Sequence, residues 1–248
     1  MTPVELLARF TEAADAAREA DASIVGPARR RRTERPGQYE LDLVADAAVL
    51  EVLGAAGLAV VSEESGRSGP ADAAVTVVVD PVDGSTNCSR GLPYWAISMC
   101  AVDADGPLCS LVRNQATGEV TTAVRGGGAW RDGGPLAAST VTKLADAVVA
   151  LDGMPARALG WAQFRSLGSA ALALCDVAAG ALDGFVECGS LAAPWNYLGG
   201  MLACVEAGAG VVDANGRPLA VTDPAARRQL LAAGTPRLLD ELRAAVAP

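Results

Sequence analysis

The sequence predicts a mixed α/β (α+β) fold in two lobes, residues 1–140 and 141–248, and three observations carry that expectation. From Glu5 to about Ala22, the residues Leu6, Leu7, Phe10, Ala14, Ala17 and Ala20 recur at helical spacing with charges between them, which marks an amphipathic helix. The run Val75-Thr76-Val77-Val78-Val79 is apolar nearly throughout, the pattern of a strand buried on both faces. A composition shift over Ser139 to Asp146 separates this material from a second set of strand and helix patterns. A chain of 248 residues can bury a sizeable core, and 51% hydrophobic with only 4% aromatic content says that Ala, Val and Leu build it.

After the first helix come Arg29-Arg30-Arg31-Arg32 and Arg35, ahead of Pro36-Gly37. This run reads either as a solvated charged turn or as a mobile basic arm that attracts phosphate. Tyr39 to Val44 is expected to be a strand and Ala45 to about Leu53 a helix ended by Gly54 and Gly57. The short apolar run Leu58 to Val61 ends at Glu63-Glu64. Tyr94 to Val102, Leu108 to Val112 and Glu119 to Val124 are strand patterns, with turns at Asn114 to Gly118 and Asp132-Gly133. Gly126-Gly127-Gly128 lacks the Lys and Ser/Thr of a phosphate loop and is expected to allow close backbone packing. In the second lobe, Val148 to Leu151 is a strand and Ser169 to Ala179 a small-residue helix ended by Gly180. Phe185 to Glu187 is the next strand, and a helix runs from Pro194 to about Ala207. Val211 to Asp213 is followed by a hairpin turn at Asn215-Gly216, then by a strand at Gln229 to Ala233. The last helix, Pro236 to Val246, carries Leu238, Leu239, Leu242 and Val246 on one face.

With no histidine in the chain, Ser-His-Asp triads and zincin sites are excluded, so carboxylates, hydroxyls and metals must carry any chemistry. The six cysteines, at 88, 100, 109, 175, 188 and 204, show no C-x-x-C spacing and lie mostly in apolar surroundings, which argues against zinc and disulfides. Cys88 is not expected to act as a nucleophile, since no base is at hand to activate a thiol. A net charge of −9 argues against nucleic acid as a partner and would repel a phosphate unless a cation reversed the local field. The start Met1-Thr2-Pro3-Val4-Glu5 has no basic region before an apolar core, and no apolar run reaches the ~18 residues of a membrane span. A cytoplasmic location with no membrane partner is therefore expected.

The apolar run at Val75 stops at Asp80-Pro81-Val82-Asp83-Gly84-Ser85-Thr86-Asn87. Two carboxylates three residues apart at a strand end suit a hard divalent cation, which takes oxygen ligands. Gly-Ser-Thr-Asn offers free N–H groups and hydroxyls where a helix begins, as an anion site does. A lone D-P-x-D can also be a plain Asx turn after a strand. The full octet resembles the signature of the inositol monophosphatase family, magnesium-dependent phosphomonoesterases inhibited by lithium. Asp42-Leu43-Val44, Glu63-Glu64-Ser65, Arg165 to Ala171 and Pro194-Trp195-Asn196 with Gly199-Gly200 resemble further family motifs in order, over roughly residues 40 to 220.

The resemblance implies a layered αβαβα sandwich of the sugar-phosphatase type, a homodimer, and two Mg2+ ions with a weak third. It implies one metal on Glu63, Asp80 and the Val82 carbonyl, and a second on Asp80, Asp83 and residue 196. Glu63 and Ser85 would position the attacking water, Gly84 and Ser85 would cradle the phosphate, and Glu64 and Thr86 would support them. Gly168, Ser169, Ala170 and Glu187 would contact the substrate. The substrate would be a small phosphorylated metabolite, inositol monophosphate or a similar polyol phosphate. Histidinol phosphate, fructose 1,6-bisphosphate and adenosine 3',5'-bisphosphate are alternatives that related proteins handle. Two departures stand out. Where the family has Asp-x-Val-Thr-x-x-Asp, this chain has Ala45 and Ala48, leaving Asp46 to cap the helix and no second carboxylate for the loosely held cation. Asn196 stands where the family has the aspartate of the second metal, so a catalytically weakened or inactive relative that binds a phosphorylated ligand is the rival expectation.

Overall fold

A computed structural model describes residues 1–189 and 191–247. The chain opens with α1 (Pro3–Ala22), closed at its start by reciprocal bonds: Thr2 N–H donates to Glu5 (2.7 Å) and Glu5 N–H to the Thr2 hydroxyl (3.3 Å). A 3-10 turn over Gly26–Arg30 leads to α2 (Glu40–Ala55). The strand expected over Tyr39 to Val44 is absent, because the helix already begins at Glu40. Apolar Tyr39, Leu41 and Leu43 alternating with polar Glu40 and Asp42 imitate a strand, but Leu43 is exposed, and Leu41, Asp42, Ala45, Asp46, Val49 and Leu53 lie together on the buried face at helical spacing. Asp42 caps this start, accepting the Tyr39 N–H at 2.7 Å. Asp46 is therefore not a cap; it sits inside the helix and accepts a hydrogen bond from Ser62.

The first sheet comprises β1 (Ala59–Ser62), β2 (Gly66–Ser68), β3 (Thr76–Asp83), β4 (Ala96–Asp103), β5 (Gly106–Asn114), β6 (Val120–Val124), β7 (Gly128–Arg131) and β8 (Gly134–Pro135), with α3 (Ser85–Arg90) between β3 and β4. Its order is β2-β1-β3-β4-β5-β6-β7-β8, antiparallel except for the parallel pair β1 and β3. The second half adds β9 (Val148–Asp152), β10 (Gln163–Arg165), α4 (Ala170–Ala178), β11 (Gly184–Glu187), α5 (Pro194–Glu206), β12 (Gly210–Asp213), β13 (Leu230–Ala233) and α6 (Pro236–Val246). These strands form a second sheet in the order β10-β9-β11-β13-β12.

Strand alternation stacks these elements into layers. Val77 and Val79 of β3 pack with Leu6, Phe10 and Ala14 of α1 and Val49 and Leu53 of α2, while Val78 faces the other way, into a core with Leu174 of α4 and Leu198 of α5. Ala150, Phe185 and Ala232 of the second sheet meet that same core from the far side. Val149, Val186 and Leu231 face outward onto Leu238 and Leu242 of α6. The result is the expected αβαβα sandwich, with α4 and α5 buried between two sheets. Gly199 and Gly200 permit that central layer: a Cβ on Gly200 would lie 2.6 Å from the Leu174 Cβ and 2.9 Å from the Ala171 carbonyl.

The glycine run 126–128 makes a turn between β6 and β7, and its Gly126 and Gly128 N–H groups donate to the Glu206 carboxylate at 2.8 and 2.9 Å. Asn215-Gly216 does turn, with Gly216 N–H on the Asp213 carbonyl (2.9 Å), but no strand returns there; the chain runs to Gln229 before pairing in β13. Asp213 organises that long connection. It accepts from Arg217 Nε (2.7 Å) and from the Gln229 N–H (2.8 Å), and these bonds, led by Arg217, hold its carboxyl down at about 2. A depressed carboxyl stabilises the fold above its unfolded pKa, near 4, and loses that contribution as pH falls through about 2. Arg217 is 41% exposed, so screening discounts the effect to on the order of 1 to 2 kcal/mol. Asp213→Asn is expected to lower the thermal midpoint at pH 7 but to match the parent near pH 2; equal midpoints at pH 7 would show that the clasp contributes nothing.

Candidate active site

The site forms where two parallel strands end side by side. β1 and β3 run together with Ser62 opposite Val79, and Glu63 N–H continues the ladder onto the Val79 carbonyl at 3.2 Å. Parallel strands finish on the same edge of the sheet, so Glu63 and Asp80 emerge as neighbours. The pairing of β3 with β4 shifts register between Asp80 and Asp83, which turns the Asp-Pro-Val-Asp segment out of the regular ladder while keeping both carboxylates buried. Gly84 follows at φ +93°, and α3 starts at Ser85. A side chain at Gly84 would need this left-handed backbone and would press within 2.8 Å of the Gly168 carbonyl, so glycine is required twice over. Asn87 locks that contact by donating to the Tyr94 and Leu167 carbonyls, each at 2.7 Å.

Glu63, Asp80, Val82, Asp83, Gly84, Ser85 and Asn196 line one cavity of about 200 Å3. Asp80, fully buried, is held well above the usual carboxylate range by burial and then by Glu63 and Asp83. Burial also raises Glu63, whose side chain meets that of Asp80, and pushes Asp83 up to about 7 against the bonds from Ser169 and Ala171. Two carboxyl groups in hydrogen-bond contact need a shared proton or a cation between them.

Four expected substrate contacts do not line this cavity. Gly168, Ser169 and Ala170 back a small separate void with Asp152 and Phe185. Ser169 is buried and donates to Asp83 at 2.6 Å while accepting from Leu172 N–H at the start of α4 (3.3 Å), so its hydroxyl anchors a site carboxylate. Glu187 is buried beside Asp152, its carboxyl pushed up to about 7 by burial and by that neighbour, and it faces another cavity with Arg157 and Gln229. Ala48 is on the far side of α2, in a surface groove with Ala16 and Glu51, so its missing carboxylate leaves no gap at the site. Thr86 is exposed and meets the Tyr39 hydroxyl at 3.2 Å. Cys88 is buried against Arg29 (2.9 Å) and Asp21 (3.3 Å), and burial followed by Asp21 drives its thiol far up, which leaves it inert.

The arginine run divides its labour. Arg29 is pinned by Asp21 at 3.0 Å and Arg32 stacks on Tyr39 at 4.6 Å, whereas Arg35 reaches the cavity and binds the Glu63 carbonyl (3.1 Å) and Glu64 (3.2 Å). Gln38 and Asp42 join the lining, and one Asp42 oxygen is buried without a partner. Arg227 stacks 5.5 Å over Trp195, beside Asn196, and its charge acts on Glu63. Nothing in the sequence marked Arg227, because the connection from 214 to 229 reaches the site only through the fold.

The donor set suits one hard cation: Glu63, Asp80 and the Val82 carbonyl are all oxygens, and the uncompensated carboxyl contact calls for positive charge. Among the described residues, no group of three or more His, Cys, Asp or Glu side chains could hold a metal alone, so backbone or water oxygens must complete any coordination. The other expected set fits poorly, since the Asn196 amide turns its NH2 to Asp80 (3.1 Å) and its oxygen to the Ala193 N–H (3.0 Å).

Residues 7–247 match the model of the inositol monophosphatase family. The chain is 36% identical over 172 residues to the Nus factor SuhB of Escherichia coli, a match that spans 63% of that relative's length and 63% of this chain. It is 35% identical over 201 residues to the inositol-1-monophosphatase of Mesorhizobium japonicum, covering 73% of this chain and 74% of the relative. The crystal structure of the extragenic suppressor protein SuhB from Bartonella henselae superposes with a TM-score of 0.83 at 26% identity, over 97% of this chain and 98% of the other. The chain belongs to the inositol monophosphatase family.

Proposed function

We propose that this protein is a magnesium-dependent phosphatase that hydrolyses a small phosphomonoester. The observation that carries it is the half-buried Glu63 and buried Asp80 meeting the N-terminus of α3 at Gly84-Ser85 in one polar cavity. Mg2+ held by Glu63, Asp80 and the Val82 carbonyl would supply Lewis-acid charge and a bound water of lowered pKa. Glu63 and Ser85 would position such a water for attack on the phosphorus. The N–H groups of Gly84 and Ser85 bind the phosphate oxygens, and Thr86, steadied by Tyr39, supports the loop. Arg35 and Arg227 offset the net charge of −9 where the dianion enters. Inositol monophosphate or a similar polyol phosphate is our first substrate, ahead of histidinol phosphate, fructose 1,6-bisphosphate and adenosine 3',5'-bisphosphate. We further propose a cytoplasmic homodimer; no helix among the described residues is long and apolar enough to cross a membrane.

Phosphate release from this panel, with magnesium or with EDTA, tests the activity: metal-dependent release from at least one ester is expected, and none from any would sink it. Arg35→Ala and Arg227→Ala are each expected to raise KM roughly threefold to tenfold, most at low salt, with little change in kcat; an unchanged KM at low salt would remove both from substrate capture. A second reading, a relative that binds a phosphorylated ligand without turnover, is favoured by Asn196. Saturable binding of phosphate with no hydrolysis of the panel would support it.

A further inference from the structure

We propose that the site takes one divalent cation where the resemblance implies two, because the residue-196 side chain that a second ion would need turns an N–H, with no oxygen and no charge, toward the site. The proposal rests on the phosphatase reading above and concerns the metal content of the same cavity.

A second ion would need Asp80, Asp83 and residue 196. The Asn196 oxygen accepts the Ala193 N–H at 3.0 Å, the bond that closes the first turn of α5. That bond also settles which way the amide points, since the reverse orientation would set NH2 against N–H. Its nitrogen therefore faces the site and donates to Asp80 Oδ2 at 3.1 Å, so an N–H stands where a cation needs an oxygen. Asp80 Oδ1 meanwhile accepts from the Val82 N–H at 3.0 Å. Asp83 is similarly held: its Oδ2 accepts from the Ser169 hydroxyl at 2.6 Å and the Ala171 N–H at 2.7 Å, a clamp onto the start of α4. One Asp83 oxygen remains, and replacing aspartate by asparagine at 196 has taken a full negative charge from a position where ligand charge sets affinity.

Counting bound Mn2+ on the whole protein by equilibrium dialysis with electron paramagnetic resonance tests this without any assay of turnover. One Mn2+ per chain is expected for the parent and for Asn196→Ala, which removes an amide that ligates nothing. Two are expected for Asn196→Asp, whose carboxylate can still accept the Ala193 N–H while offering a second oxygen to the ion. Two ions on the parent, a loss of binding in Asn196→Ala, or a single ion on Asn196→Asp with its thermal midpoint intact would each overturn the proposal. No Mn2+ on the parent would instead overturn the metal-dependent phosphatase reading on which it stands.

Discussion

Asp80→Asn is expected to abolish measurable magnesium binding and to lower kcat/KM roughly 10³-fold, the largest functional effect of any single change at the site. Asp80 lies at the junction of everything there: it touches Glu63, accepts from Asn196 and from the Val82 N–H, and is fully buried. The amide is nearly isosteric and can still accept the Val82 N–H, at the loss of the bond that Asp80 Oδ2 accepts from the Asn196 NH2. What it removes is the charge that a cation would neutralise, and an amide NH2 facing Glu63 satisfies that carboxylate without metal. Calorimetry on the variant checks this; unchanged magnesium affinity with a normal thermal midpoint would mean that the cation, if any, sits elsewhere.

Gly200→Val is expected to produce the largest loss of stability, about 3 kcal/mol or more, with a fall in thermal midpoint of roughly 6 to 12 °C. Gly200 lies in α5 where the helix presses on α4 between the two sheets, and a Cβ there would meet the Leu174 Cβ at 2.6 Å and the Ala171 carbonyl at 2.9 Å. One of these atoms is backbone, so the strain cannot be relieved by a rotamer change. Neither helix can move outward, because Val78 and Phe185 close the core from opposite sides. Thermal unfolding followed by circular dichroism measures it; a midpoint within about 2 °C of the parent would show that this layer is more loosely packed than the contacts say.

Much of this was legible because the sequence writes its chemistry at strand ends. Val77 to Val79 are apolar on both faces because β3 is covered on both, and the chain turns polar at Asp80 where the sheet edge meets the cavity. The start of α2 looks like a strand because Tyr39, Leu41 and Leu43 alternate with Glu40 and Asp42, and only the contact of Asp42 with the Tyr39 N–H shows that a helix begins there. The short strands β2, β7, β8 and β10 carry too few residues to show a period. Ser169 resembled a substrate contact, yet its role depends on Asp83, 86 residues away in sequence, and no local pattern reports such a bond. Likewise Asn196 could be recognised as a departure from its residue type, while the direction of its amide depends on the Ala193 N–H at the head of α5. Arg227 enters only through the fold of the long connection after β12.

Anomalous diffraction from crystals of the parent protein grown with Mn2+ addresses the central claim most directly, because it locates the cation independently of any substrate. The strongest peak is expected among Glu63, Asp80 and the Val82 carbonyl, beside the N-terminus of α3. A peak away from those three oxygens, or none in crystals whose protein hydrolyses a phosphomonoester only when metal is present, would contradict the account.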